Sequence, residues 1–262
     1  MELRSFALWI LEANSLEGKF FFPEKLSDDH PGPALIINEP LRPKELCFQR
    51  HERSHKLPSF QEHKSKDKRA ICLHRFAGHE LLAVEMMAWA ILAFPNAPKK
   101  YRMALAHQLH EEQFHTKLYI TRLAEMNMKF GNEPLFRHFW NHIPYIQSIQ
   151  NFISCMNLTF EQANLDFASL YSKSFEIAGD LDSAKLMQTI LRDEIRHVRL
   201  GVNWLSKLKE KHQTLFESWK CNLPKTIKPE QSKGFVMHKS PRIKSGISEE
   251  WLNFLEQKSN KS

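Results

Sequence analysis

Two stretches of sequence decide the fold: LHEEQFHTKLY at residues 109–119 and ILRDEIRHVRL at residues 190–200. Each contains an acidic residue followed by a Glu-x-x-His motif, made by Glu112 with His115 and by Glu194 with His197. Residues three apart lie on one face of a helix, so each glutamate points the same way as its histidine. One such motif often arises by chance, but two of them on helices expected to face each other indicate a shared site.

The spacing upstream of each motif is also repeated. Glu80 lies 32 residues before Glu112, and Glu161 lies 33 residues before Glu194. The chain therefore reads as a repeated pair of helices, with the two copies offset by 81–82 residues. A di-iron or di-manganese carboxylate site needs this pattern, because two helices each supply a Glu and two others each supply a Glu-x-x-His.

The predicted ligands fall in the apolar stripes of their helices. Glu194 precedes Val198, and Glu80 lies between Ala77 and Ala83. A buried, unpaired carboxylate costs several kcal/mol, and two divalent cations would remove that cost. A structural Glu–His hydrogen bond within each helix is the alternative, but it does not account for Glu80 and Glu161. The predicted metal ligands are Glu80, Glu112, His115, Glu161, Glu194 and His197.

Other polar residues are expected to support these ligands through hydrogen bonds: Glu85, Glu111, Asp166, Asp193 and Arg196. Glu111 and Asp193 each precede a ligand Glu, and such acids commonly accept the outer N–H of a ligand histidine. Glu85 and Asp166 lie five residues beyond a ligand, about 140° around the helix, which favours a supporting or structural role over a bridging one. Arg196 either pairs with one of these acids or faces solvent. Tyr119, one turn beyond His115, is a candidate redox residue or a tyrosine that lines the bundle.

Helical periodicity predicts an all-α fold. Four long helices are expected at about residues 69–93, 98–128, 145–174 and 180–211. The longer connection after the second helix is typical of a four-helix bundle with one crossover. We therefore expect an N-terminal helix and extended arm at 1–68, the bundle at 69–212, and a basic C-terminal tail with a short helix at 213–262. Residues 223–248 of this tail are expected to be loop, followed by the helix at residues 249–257.

Composition limits the class of protein. The 262 residues are 42% hydrophobic and 26% charged, which is typical of a globular chain. No apolar run approaches the ~20 residues that cross a bilayer, and the N-terminus reads as an amphipathic helix rather than a signal peptide. The four cysteines form no CxxC pair, which argues against a disulfide scaffold and favours the reducing cytoplasm.

The positive charge is concentrated near the C-terminus. The net charge is +7, and Lys207–Ser262 contains 12 Lys and Arg against 6 Glu. A basic segment of this kind either contacts nucleic acid or an acidic partner, or forms a solvated surface.

Several runs of sequence resemble a known family. They are HRFAGHELLAVEMMAWAILAFPNAP at 74–98, LHEEQFHTKLYITRL at 109–123, FGNEPLFRHFW at 130–140, LTFEQANLDFA at 158–168 and ILRDEIRHVRLGVNWL at 190–205. They look like a bacterial ferritin-like family of unknown function, distantly related to the tRNA-modifying di-iron hydroxylases. The resemblance runs from about residue 41 to the end of the chain. It implies a ferritin-like bundle that holds a dinuclear metal site on the same six ligands.

These observations favour an oxidoreductase with two iron ions, or manganese in their place. It would activate dioxygen to hydroxylate or otherwise oxidise an organic substrate, which includes a modified nucleoside if the basic tail binds RNA. No Gly-rich nucleotide motif is present, so a partner protein or the substrate is expected to supply electrons. The alternatives are a ferroxidase, metal-storage or peroxide-defence protein, and a helical interaction protein without catalysis. The arm and tail would obstruct a ferritin cage, so we expect a monomer or a dimer. We expect no membrane partner.

Overall fold

The structure of the protein is a computed structural model that describes residues 1–49 and 56–259. Within these residues all regular structure is helical and no strand occurs, so the prediction of an all-α chain is confirmed. The chain divides into two compact units, Met1–Asn141 and His142–Ser262. The expected division into arm, bundle and tail stays a prediction.

The first unit is built around one pair of long helices. Its helices are α1 (Leu3–Glu12), α2 (Leu16–Lys19), α3 (Lys66–Ala93) and α4 (Lys99–Glu125), with 3₁₀ turns at Lys44–Leu46 and Phe60–Lys64. Helices α3 and α4 pack against each other and are joined by only five residues, which makes them an antiparallel hairpin. α3 ends before Phe94 because Pro95 follows, and a residue that precedes proline avoids the helical region.

The N-terminal segment of the first unit covers this hairpin. Helix α1 packs on α3 through one buried face, as its amphipathic pattern predicts. The side chains on that face are Leu3, Phe6, Ala7, Ile10 and Leu11. Between α2 and α3, the described residues 20–49 and 56–65 contain little regular structure apart from the two 3₁₀ turns.

Helix α3 is apolar on nearly all sides. It contains an 18-residue stretch with a mean hydropathy of 1.3, so by length and composition it is the one described helix able to cross a membrane. However, 89% of that stretch is buried inside the protein. Such burial is typical of the central helix of a soluble protein.

His74 on α3 fixes the connection that follows α4. Its Nε2 accepts the backbone N–H of Gly131 at 2.8 Å and of Glu133 at 3.4 Å, so the ring is neutral with its proton on Nδ1. Burial, and then the charge of Arg75, lower the pKa of His74 to about 4. Protonation would replace an acceptor with a donor that faces two N–H groups.

The stability of the protein should therefore depend on pH through His74. Between pH 6.5 and about 4 the unfolded chain binds a proton at this ring that the folded chain does not. The free energy of unfolding should fall with decreasing pH, with this residue contributing up to about 1.4 kcal/mol per pH unit. Urea unfolding of His74→Gln over this range should show a shallower dependence on pH. The same substitution at the exposed His107 is the matched control, and an unchanged slope in His74→Gln would contradict the assignment.

The second unit also contains a hairpin of long helices. Its helices are α5 (Ile149–Cys155), α6 (Glu161–Ile177), α7 (Leu181–Leu208), α8 (Leu215–Cys221), α9 (Lys239–Ser245) and α10 (Glu249–Ser259). Helices α6 and α7 pack together and are joined by three residues. Asp180 caps α7 by accepting the N–H of Ser183 at 3.1 Å.

The third predicted helix differs from a single α-helix. The helical run from residue 149 to residue 177 contains a π-helix, Met156–Phe160, between α5 and α6. A π turn inserts an extra residue, and such turns are frequent at functional sites. Hydrophobic periodicity alone does not reveal it, because the run remains helical on both sides.

The prediction that residues 223–248 are loop is wrong in part. A 3₁₀ turn at Pro229–Ser232 and helix α9 lie in this segment, before the short terminal helix that the sequence indicated, and α8 precedes it in a stretch for which the sequence predicts no element. Helix α8 has a capping box between Thr214 and Glu217, a signal that the charge pattern concealed. Helix α9 ends at Gly246, whose φ of 94° is accessible to glycine at low cost.

Helix α7 approaches the π turn closely at Gly201. A Cβ atom at this position would lie 2.5 Å from the Cβ of Asn157 and 3.1 Å from side-chain atoms of Leu158. We therefore expect Gly201→Ala to lower the free energy of unfolding by about 1–3 kcal/mol through overpacking. Urea denaturation checks this, with Asn203→Ala on the exposed side of α7 as control. Equal stability of the two variants would contradict the close approach.

Candidate metal centre

The first unit brings its three predicted ligands together. Glu80 lies on α3, while Glu112 and His115 lie on α4. At least one ligand atom from each of the three lies within 4.8 Å of the others. The Nδ1 atom of His115 is 3.0 Å from Oε2 of Glu112. Relative exposures are 6% for Glu80, 1% for Glu112 and 0% for His115, so these polar side chains are withdrawn from water.

In the second unit the histidine lies close to both predicted glutamate ligands. Glu161 begins α6, while Glu194 and His197 lie on α7. Ligand atoms of Glu161 and His197 lie within 4.8 Å of each other, and Nδ1 of His197 is 3.6 Å from Oε2 of Glu194. All three residues are buried, with relative exposures of 4% or less. Each unit therefore holds a triad of two glutamates and one histidine.

The donor chemistry of both triads suits a divalent transition metal. Carboxylate oxygens and imidazole nitrogens are ligands that iron and manganese accept. An isolated buried carboxylate is costly, whereas a carboxylate that coordinates a cation is compensated. The residues present in each unit therefore fit a metal ion.

Two asparagines that the sequence analysis did not single out contact the second triad. The side-chain amide of Asn157, in the π turn, donates to Oε2 of Glu161 at 2.9 Å and to the carbonyl oxygen of His197 at 3.3 Å. The amide of Asn164 on α6 donates to Oε1 of Glu194 at 2.9 Å. The only available signal was position, because both asparagines lie within four residues of Glu161.

Glu85 forms a buried ion-pair cluster in the first unit. Lys19 Nζ lies 3.0 Å from its Oε1, and Arg42 Nη2 lies 2.5 Å from its Oε2. Burial lowers the pKa of Lys19, although the neighbouring Glu85 charge opposes this shift. Of the roles expected for Glu85, its contacts match the structural one, because they anchor the N-terminal segment to α3.

Asp166 has the same kind of role in the second unit. Arg242 on α9 donates from Nη2 to its Oδ2 at 2.8 Å, and the backbone N–H groups of Gly234 and His238 donate at 2.8 and 2.7 Å. Asp166 and Arg242 are both fully buried. This carboxylate therefore fixes the C-terminal segment on α6, and it too matches the structural role among those considered.

The remaining supporting residues are partly exposed. Arg196 is 53% exposed and lies 2.7 Å from Asp193, three residues earlier on α7, so it both pairs with an acid and faces solvent. Glu111 is half-buried on α4, and its expected hydrogen bond to a ligand histidine stays a prediction, as does that of Asp193. Tyr119 is 1% exposed, with its ring centroid 6.0 Å from that of Phe76.

Comparison with known proteins identifies a family. The model of a family described as a protein of unknown function (DUF455) matches residues 9–253. No curated protein and no solved structure matches the chain. The matched range includes both triads.

Proposed function

The chain belongs to this family of proteins of unknown function, and from that starting point we propose that it is a dinuclear-metal oxidoreductase. Two metal ions would be bound by the six residues of the two triads. The enzyme would use dioxygen to hydroxylate or otherwise oxidise an organic substrate. One observation supports this function above all: a buried triad of two glutamates and a histidine recurs in both units.

Charge supports two cations rather than one. The triads contain four carboxylates and two imidazoles, and two divalent cations neutralise four ionised carboxylates. In our proposal the triads are the two halves of one centre. This is the ferritin-like arrangement, in which two helices each supply a Glu and two others each supply a Glu-x-x-His.

Iron is the metal we propose, with manganese as the alternative, because the same ligand types serve both. When bound, a dinuclear iron centre would supply the redox chemistry that activates dioxygen. The residues of this chain would hold the ions and exclude water by burial. Tyr119, a buried phenol one helical turn beyond His115, would be the candidate for electron transfer.

The partners are also part of the proposal. Electrons would come from a donor protein or the substrate, and the protein would act in the cytoplasm as a monomer or dimer. A substrate nucleoside in RNA would be held by the basic C-terminal segment. Phosphate contacts would then make RNA affinity fall steeply with salt concentration, which filter binding at several ionic strengths measures.

Oxygen uptake separates this function from metal handling. Full-length protein is loaded anaerobically with two equivalents of Fe(II) per chain, and dioxygen is added with a chemical reductant in excess. An oxidoreductase should consume dioxygen repeatedly while its iron content stays constant. In a second experiment, further Fe(II) is supplied with dioxygen and no reductant. Accumulation of Fe(III) beyond two ions per chain in a large assembly, measured by native mass spectrometry, would then indicate ferroxidase or storage activity instead. If the protein binds no iron, the result would support the alternative of a helical interaction protein without catalysis.

A further inference from the structure

The π turn in the second unit surrounds a buried side-chain amide. Asn157 has no exposed surface, and its NH₂ group reaches both the Glu161 carboxylate and the His197 carbonyl oxygen. One amide NH₂ has two hydrogens, so it can satisfy both acceptors. The side chain thus ties the start of α6 to the turn of α7 that bears a predicted ligand.

Asn164 makes the corresponding contact with the other carboxylate of this triad. Its amide donates to Oε1 of Glu194, so α6 also contacts α7 through an amide–carboxylate hydrogen bond. Each asparagine holds one named oxygen of a glutamate. Each hydrogen bond constrains the orientation of its carboxylate.

The two asparagine donors are neutral, unlike the arginine donors that bind the structural carboxylates. Glu85 and Asp166 accept hydrogen bonds from arginine guanidinium groups, which cancel their negative charge. The asparagine amides bound to Glu161 and Glu194 are neutral. A neutral donor orients a carboxylate but leaves its negative charge in place for a cation.

Close packing keeps Asn157 in position. Because Gly201 has no side chain, α7 approaches the π turn to a distance at which a Cβ would lie 2.5 Å from the Cβ of Asn157. The amide is therefore held between two elements that both carry predicted ligands, Glu161 on α6 and His197 on α7.

We propose that Asn157 and Asn164 are positioning residues for the metal centre, each holding one oxygen of a ligand glutamate so that the carboxylate is preorganised for a cation. This rests on the proposed function, because it requires Glu161 and Glu194 to bind metal. Loss of such a supporting hydrogen bond typically weakens metal affinity by about 10–100-fold. The same fold-change is expected here for each asparagine.

The test uses Co(II) alone as a spectroscopic probe of the full-length, metal-free protein under anaerobic conditions. Asn157→Leu removes the donor while keeping the branching and the number of side-chain heavy atoms, and Asn164→Ala removes the other donor. Asn151→Ala is the matched control, because its amide bonds the carbonyl oxygen of Asn222 at 3.0 Å and touches no ligand. Urea unfolding without metal reports folding, while the visible absorption of Co(II) reports affinity and coordination.

We expect Asn157→Leu and Asn164→Ala to bind Co(II) about 10–100-fold more weakly than the unmodified protein, with an altered absorption spectrum. Asn151→Ala should lose stability but keep the original affinity and spectrum. If Asn157→Leu and Asn164→Ala unfold more easily yet bind Co(II) as tightly as the unmodified protein, the positioning role is wrong. The proposed metal site is not contradicted by that result. If the unmodified protein binds no Co(II) and no Fe(II), both the positioning role and the proposed function are wrong.

Discussion

Replacement of Asp166 by alanine should lower the free energy of unfolding by about 3–5 kcal/mol, because the buried Arg242 would lose its counter-charge. The variant would also leave the backbone N–H groups of Gly234 and His238 without their acceptor. Urea denaturation of the metal-free protein measures the loss. Helix α9 should detach first, and amide hydrogen exchange in residues 234–245 would report this.

Two further variants make the Asp166 result specific. Glu176→Ala removes an exposed acid from the same helix and should change stability by at most about 0.5 kcal/mol. The double change Asp166→Leu with Arg242→Met removes both buried charges and should recover much of the loss. A loss below about 1 kcal/mol in Asp166→Ala, the range of a surface pair, would show that the ion pair is not buried in solution.

Glu112→Gln should abolish the stabilisation that Fe(II) gives the protein. A ligand that binds only the folded state adds about 4 kcal/mol of stability when present at roughly 1,000 times its dissociation constant. In the absence of metal, Glu112→Gln should be as stable as the unmodified protein or more so, because it removes a buried negative charge. The order of the two stabilities should therefore reverse when Fe(II) is added anaerobically.

The control for this reversal is Glu125→Gln on the same helix, where the acid is 55% exposed and pairs with Arg122. It should respond to Fe(II) as the unmodified protein does. If Glu112→Gln were destabilised without metal and still gained full stabilisation from Fe(II), Glu112 would be a structural residue rather than a ligand.

The long helices were predictable because local signals mark them. Pro95 ends α3, Asp180 caps α7, and the Glu-x-x-His pairs share helix faces as periodicity requires. The repeat spacing also placed Glu80 near Glu112 and His115, because α3 and α4 form a hairpin with a short connection.

The contacts made by distant segments were not predictable. Nothing local to Glu85 indicates Lys19 and Arg42, which come from the N-terminal segment. Arg42 and Arg242 lie in runs of charge that resemble solvated surface, yet the fold buries both against acids. The π turn also follows from packing, since Gly201 of α7 admits it and no periodicity signal marks it.

The most direct test of the dinuclear centre is the metal content of single-ligand variants. The unmodified protein, loaded anaerobically with Fe(II) and then oxidised, should hold two iron ions per chain with antiferromagnetically coupled Mössbauer parameters. Glu80→Ala in one unit and Glu161→Ala in the other should each disrupt both iron sites, because two ions of one centre share their environment. Retention of one fully occupied, uncoupled iron in each variant, or full iron content in both, would contradict a single centre built from the two triads.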